Sequence, residues 1–585
     1  MKRSGRFSDL SFPWLLADGG HRTPGFARET RRQRQLVIDA IILGVVGALA
    51  AQLFIHMVSC ANALFLYYLA GYRSPGLPTE YRDLTQLIGR FGLWLIPAAT
   101  TLGGLIVGIM VQGLAPEAEG HGTDTVIRAY HQHDGILRGR VAPVKMVASA
   151  ITIGSGGAAG REGPVALITA GVGSWYGSRT GRDAEDRRML LLIGMAAGLS
   201  AIFRSPIGTA IMAVEVLYSD MEFERDALLY TMLGSIVAYA VNGMIVGWQP
   251  LFQMPSAIAP LSSPLAYGWY VVLGLAAGVL GTVLPAVFYG LRDWFKSLPI
   301  RSFLRPALGG LLTGLIALAY PQVIGGGYGW MQQAINGQLL LGTLAVLVFG
   351  KILALSFSVA SGGSGGVFAP SLFVGAMLGG VFAMVLHQPA APFVVVGMAA
   401  VFAGAAHLPV ATLFMVSEMT GGYALLVPAG LAVMISYLVQ TRLSSRLKYR
   451  SIYEAQVPNR GESPAHRRQQ LQTALRVLRR QGLPDLSTIG ELDLFTLIKS
   501  GLPVELPGGL QLLAGTLRPA SSIVGCTVAD AVQRLQAPGT KVLAIVREET
   551  FVVPAPDSVL VAGDRLMLVA EASAVDDVRR HLTAW

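Results

Sequence analysis

The sequence predicts a polytopic all-α membrane protein built from two repeats, followed by a small α+β domain. Three observations carry that prediction. The 585-residue chain is 52% hydrophobic and only 14% charged, with a mean hydropathy of +0.53, the balance of a membrane protein. Charge disappears over long runs: none of Lys, Arg, Asp or Glu occurs from Ala227 to Leu291, and only Lys351 and Glu418 occur from Ala307 to Thr441. A spanning helix takes about 20 apolar residues, so each run holds several spans. Finally, a pattern near residue 150 returns near residue 355.

The elements follow in order. Residues 1–35 read as a cytosolic segment. Arg31, Arg32 and Arg34 precede the first apolar run with no cleavable core ahead of them, which argues against a signal peptide and places this end in the cytoplasm. Residues 36–458 read as the membrane domain. The basic stretch "TRLSSRLKYRSIYEAQ" closing it places the C-terminus in the cytoplasm too. The net charge of +10 is mostly this topology signal, so no nucleic-acid partner is expected. An inner (plasma) membrane location fits this pattern.

Inside the membrane domain, "KMVASAITIGSGGAAGREGP" (145–164) aligns without gaps on "KILALSFSVASGGSGGVFAP" (351–370). "GMAAGLSAIFRSPIGTAIMAVEV" (194–216) aligns on "GMAAVFAGAAHLPVATLFMVSEM" (397–419), pairing Glu215 with Glu418. Small residues for close helix packing explain the GMAA stretches. They do not explain paired Lys, Glu and Pro. Internal repeats with glycine-broken segments at matching positions point to a transport site between the halves.

Residues 459–508 read as a cytosolic linker. Ser463 and Pro464 start a helix there that ends before Gly482 and carries Arg467, Arg468, Arg476, Arg479 and Arg480. It reads as a solvated charged face, with anionic membrane lipid as the other partner it could take. Residues 509–585 read as a soluble domain, with strands at 542–547, 551–554 and 565–571 and helices at 527–535 and 574–582. "AIVREETFVVPAPDSVLVAGDRLMLV" resembles the C-terminal lobe of regulator-of-potassium-conductance domains. That resemblance implies a sensor for a small-molecule ligand or a subunit-pairing module. No potassium-filter "TVGYG" is present.

The stretch "GREGP" then poses the chemical question. Glu162 is a carboxylate where charge costs roughly 2.5–3.5 kcal/mol even on lenient insertion scales. A helix N-terminus offers about half a positive charge and several free N–H donors, enough to hold an anion without trapping it. "GREGP" and "GGVFAP" are repeat mates of that form, glycines and then a helix start, and can face each other. Glu162 at one such start is itself an anion and can occupy the place a permeant anion needs. It reads as a tethered competitor, a gate.

With these residues the chain resembles the CLC family of chloride channels and chloride/proton antiporters. Gly160-Arg161-Glu162-Gly163-Pro164 matches GREGP, Gly366-Val367-Phe368-Ala369-Pro370 matches GxFxP, and Tyr453 matches the tyrosine of the last membrane helix. The resemblance implies two inverted repeats with broken, tilted helices, a homodimer with one pore per subunit, and voltage gating. It also implies Glu162 as external gate, anion binding at the N–H groups of Val367 and Phe368, and the Tyr453 hydroxyl on the inner side. Gly160, Arg161, Gly163, Gly366 and Ala369 complete the expected anion-binding segments.

Two departures shape the functional reading. Where the family has GSGIP, this chain has "GHGTD", so His121 takes the serine position and Asp124 the proline position. An imidazole N–H can still donate to chloride, and Asp124 reads as the N-cap of the next helix. The family's antiporters also carry a Glu-Glu pair after the "F-x-x-P" helix start. Here Glu215 fills the structural first position and Val216 the proton-relay position. An isopropyl group does not titrate, so the sequence reads as a passive chloride channel. The alternatives are a proton-coupled antiporter with another proton route, and a protein for fluoride, nitrate or bicarbonate. Two distant cysteines, Cys60 and Cys526, leave no disulfide framework or metal cluster. No cofactor and no enzyme activity are expected.

Overall fold

The computed structural model describes residues 24–77, 86–89, 92–255, 264–466, 504–506, 510–534, 540–547, 550–552, 554–571 and 575–583. Contacts divide the chain into two units that meet between Gln456 and Val457. The first unit is helical: α1 (Pro24–Asn62), α2 (Ile96–Leu114), α3 (Thr123–Gln132), α4 (Val141–Gly154), α5 (Glu162–Arg179), α6 (Ala184–Phe203), α7 (Pro206–Glu215) and α8 (Arg225–Val246). The second half follows with α9 (Pro264–Ser297), α10 (Arg305–Ala319), α11 (Tyr328–Ile335), α12 (Leu341–Leu355), α13 (Phe368–Val385), α14 (Ala390–Ala406), α15 (Pro409–Thr420) and α16 (Leu426–Ser444). A short strand pair, β1 (Tyr72–Arg73) and β2 (Leu87–Ile88), lies between α1 and α2.

Among the described residues, eight helices are long and apolar enough to cross a membrane. Apolar side chains such as Leu53, Leu229, Met244 and Leu438 face outward, which suits lipid rather than water. Several helices are too short to span, among them α3, α7 and α11. Their free ends lie inside protein, where the backbone groups find partners.

The sequence repeat reappears in three dimensions. Lys145 of α4 donates to the carbonyls of Ala118 and Gly120, and Lys351 of α12 donates to those of Val323 and Gly325. Each buried ammonium ties its helix to the loop before a short helix. The capping is reciprocal. The Glu215 carboxylate accepts the N–H of Val410 (3.2 Å) and Ala411 (2.7 Å) at the start of α15. Glu418 accepts from the Ser205 hydroxyl (2.5 Å) and the Ile207 and Gly208 N–H groups at the start of α7. A buried carboxylate at each helix start satisfies orphan donors and the positive end of the dipole.

The second unit is an antiparallel sheet in the order β3 (Val504–Leu506), β4 (Leu510–Leu517), β7 (Arg565–Glu571), β5 (Lys541–Arg547), β6 (Thr550–Val552), with β8 (Leu582–Thr583) also on β4. Two helices, α17 (Val528–Arg534) and α18 (Val575–His581), pack on it around Leu513, Ile545, Leu566 and Leu568. Sequence reading missed β4, whose "LQLLAGTL" has no clean period of two. The Arg-rich helix expected after Ser463 falls mostly outside the described residues.

Candidate functional site

The centre of the first unit is a junction of glycine loops. Gly160 and Gly366, repeat mates, exchange two backbone hydrogen bonds of 2.7 Å, and Gly120 bonds the loop of Gly363 and Gly365. The preceding glycines, Gly156 (φ +101) and Gly362 (φ +107), hold backbone that only glycine enters without strain. Close approach governs the rest: a Cβ at Gly366 would stand 2.8 Å from the Gly163 amide nitrogen. These constraints bring the N-termini of α5, at Glu162, and α13, at Phe368, to one place. Both helices start two residues before their prolines, Pro164 and Pro370.

Between the two helix starts lies a closed space walled by Thr123, Glu162, Gly163, Ala166, Leu199, Met212, Val367, Phe368 and Tyr453. It has no room for a water molecule. The first N–H groups of α13 have no intrahelical acceptor, which makes them free donors at this point. Phe368 is fixed by Phe203 and Phe402, with ring centroids 4.4 and 4.1 Å away.

The Glu162 side chain is 1% exposed and folds back over Gly160, where a Cβ would collide with its Oε2. The Tyr328 hydroxyl, at the first residue of α11, donates to its Oε1. Arg161 lies over the Tyr328 ring at 4.6 Å. Arg161 and Tyr328 line a separate cavity of about 120 Å³. A wider basin of about 920 Å³ is lined by His121, Asp124, Arg128, Phe288, Arg292 and Glu454, among others. Glu162 thus belongs to the wall of the closed space, while its neighbour Arg161 and its partner Tyr328 belong to the wall of the 120 Å³ cavity.

The predicted residues fall into two groups. Glu162, Gly163, Val367, Phe368 and Tyr453 line the closed space, and Gly160, Gly366 and Ala369 form the junction beside it. Arg161 turns its side chain to the 120 Å³ cavity. His121 lines the wide basin, its ring 5.4 Å from that of Tyr453 and its Nε2 3.1 Å from Asp124 Oδ2. The hydroxyl in the closed space beside Tyr453 belongs to Thr123, which hydrogen-bonds it. Helix α3 begins at Thr123, so Asp124 is not its N-cap. The Asp124 carboxylate accepts from the Ala455 N–H instead and steadies the segment carrying Tyr453. That segment is not helical. Tyr453 lies beyond the end of α16 and is held by bonds from Tyr289 to Ile452 and from Ile452 to Ala405.

Sequence reasoning missed Thr123 and Tyr328. Each opens a short helix next to a glycine loop, and that shared position was the signal available. Val216 is fully buried at the end of α7. The described residues contain no cluster suited to a metal ion.

The sequence model of the voltage gated chloride channel family matches residues 103–441, and that of the TrkA-C domain matches 516–583. A putative chloride channel protein of Ralstonia nicotianae is 31% identical over 68% of this chain and 92% of its own length. An H(+)/Cl(-) exchange transporter of Cronobacter sakazakii is 28% identical over 72% of this chain and 88% of its own. A voltage-gated ClC-type chloride channel of Escherichia coli is also 28% identical, over 72% and 98%. Among solved structures, a CLC-type fluoride/proton antiporter superimposes with a TM-score of 0.61 at 21% identity, covering 75% of this chain and all of its own. That likeness speaks to the fold.

Proposed function

This chain belongs to the voltage gated chloride channel (CLC) family and carries a TrkA-C domain, and from that membership we propose that it exchanges chloride for protons. It is a multi-pass membrane protein of a family that moves anions. The observation supporting exchange is the position of Glu162, whose carboxylate is buried at the α5 helix start against a closed space without room for water. An anion passes only when that carboxylate moves away or takes up a proton. Anion passage and proton uptake then meet at one group, which is the requirement for coupling. In this reading the α5 and α13 helix starts hold the anion, with the Thr123 and Tyr453 hydroxyls beside it. The wide basin is its cytoplasmic entrance, and the protein works as a homodimer with one pathway per subunit.

Val216 favours a second reading, a passive chloride channel, because the family's inner proton group is missing. The names of the Ralstonia and Escherichia relatives point the same way, and that of the Cronobacter relative points to exchange. The deciding experiment measures the reversal potential of reconstituted protein under symmetric chloride and a pH gradient. Exchange shifts the reversal potential away from zero, and a channel leaves it at zero. Repeating it in fluoride, nitrate and bicarbonate ranks the anions.

A further inference from the structure

Exchange without a carboxylate at position 216 needs another group to bring the proton, and a buried carboxylate stands one loop away. Glu224 is 5% exposed. It occupies the residue before α8, and its side chain makes no cap bond to that helix. The carboxylate turns instead to the Tyr218 hydroxyl, which donates to its Oε2 at 2.8 Å. The Glu224 amide reaches the carbonyl of Val214 at 3.4 Å, which ties the residue to the last turn of α7. Met212 of the same turn walls the closed space that holds Glu162. At about 1.5 Å of rise per residue, Val214 and Val216 lie only some 3 and 6 Å further along the helix axis.

The surroundings are rich in titratable groups. His131 of α3 lies edge-on to the Tyr218 ring at 5.7 Å, with Nε2 3.1 Å from the Leu217 carbonyl. His407, closing α14, has Nδ1 3.2 Å from the Ser219 carbonyl. Asp220 and Glu222 lie in the same loop, Arg225 and Asp226 follow on α8, and Glu215 ends α7 but is bound to the start of α15.

We propose that Glu224 carries the proton that Val216 cannot, and delivers it past Met212 to Glu162. The proposal rests on the exchange reading above. Ionised Glu224 accepts the Tyr218 hydroxyl proton in a hydrogen bond. Protonated Glu224 can donate its own O–H back to the Tyr218 oxygen, so the pair stays bonded in both states. Delivery breaks the O–H bond on Glu224 and forms one on the Glu162 carboxylate. Glu162 becomes neutral and no longer competes with the anion.

The test reconstitutes the full chain and measures proton and anion movement together for wild type, Glu224→Gln, Glu224→Asp and Tyr218→Phe. Glu224→Gln is expected to keep anion flux and lose proton movement, while Glu224→Asp keeps both. Val216→Glu added to Glu224→Gln is expected to restore proton movement. An unchanged proton-to-anion ratio in Glu224→Gln overturns the proposal and leaves exchange standing. Should that variant not insert, an unchanged ratio in Tyr218→Phe overturns it. A wild type that moves no protons overturns both the proposal and the exchange reading.

Discussion

Tyr328→Phe isolates one hydrogen bond to the proposed gate, Glu162. The Tyr328 hydroxyl donates to Glu162 Oε1 while the ring packs between Arg161 and Phe252, with the guanidinium 4.6 Å from its centroid and the Phe252 ring 6.1 Å away. Phenylalanine keeps those ring contacts and removes only the donor. A hydrogen bond to a charged group contributes about 1.5–3 kcal/mol. It exists only while the carboxylate stays in place, so its loss acts on the closed state alone. At about 1.4 kcal/mol per tenfold, the closed-to-open ratio falls by roughly 10- to 100-fold. Flux rises less than that, because it is capped by the rate of an ungated passage. Chloride efflux from liposomes at pH 7.5, with voltage held by a potassium ionophore, reads the effect. Expected is a several-fold rise toward the rate of Glu162→Gln, and no further rise when Tyr328→Phe is added to Glu162→Gln. Wild-type efflux in Tyr328→Phe, or an equal rise in both backgrounds, refutes the latch.

Other consequences can be measured alongside. Glu162→Gln removes the competing carboxylate, so chloride efflux compared at pH 5.5 and 7.5 should no longer rise on acidification. Glu418→Ala strips three donors at the start of α7 of their acceptor; at about 1–3 kcal/mol for an orphaned buried polar group, thermal unfolding in detergent should drop clearly. Truncation after Gln456, at the boundary between the two units, should leave a folded protein with measurable anion flux. Burial alone would raise the Asp564 carboxyl, but the Arg547 guanidinium and the Val561 N–H outweigh it and hold the group below the usual carboxylate range. Its stabilisation is therefore present at neutral pH and lost as pH falls through that lowered value. Hydrogen exchange of β4 and β7 in the full chain should show Asp564→Asn weaker by about 1–2 kcal/mol at pH 7 and equal to wild type once Asp564 itself is protonated.

What the sequence made legible follows from local physics. Charge-free runs gave the spans, and the gapless repeat gave the architecture and the pairing of Glu215 with Glu418. Glycines ahead of two helix starts gave the junction. The sequence was silent where a side chain acts across the fold. Tyr328 meets Glu162 from 166 residues away, and no period or motif encodes such a contact. His121 was assigned by its place in a five-residue motif, while the structure puts Thr123 in the closed space and His121 on the basin wall.

The two halves repeat their frame and differ in their chemistry, and that difference locates function. From Ala118 to Val323 and from Gly120 to Gly325, the carbonyls that hold the two buried lysines are 205 residues apart. The same step carries Thr123, which opens α3, to Tyr328, which opens α11. Two equivalent helix starts thus each present a hydroxyl, one bonded to Tyr453 and one to Glu162. The paired lysines, glycines and capping glutamates are alike in both halves because they hold the backbone. At the next level the symmetry breaks: Glu162 has Phe368 as its mate, and Arg204 has His407. A passage lined identically from both ends would have no distinct outer gate and inner supply. With a titratable carboxylate on α5 and an aromatic ring at the matching place on α13, the two halves are not equivalent at the closed space, and the proposed exchange rests on that difference.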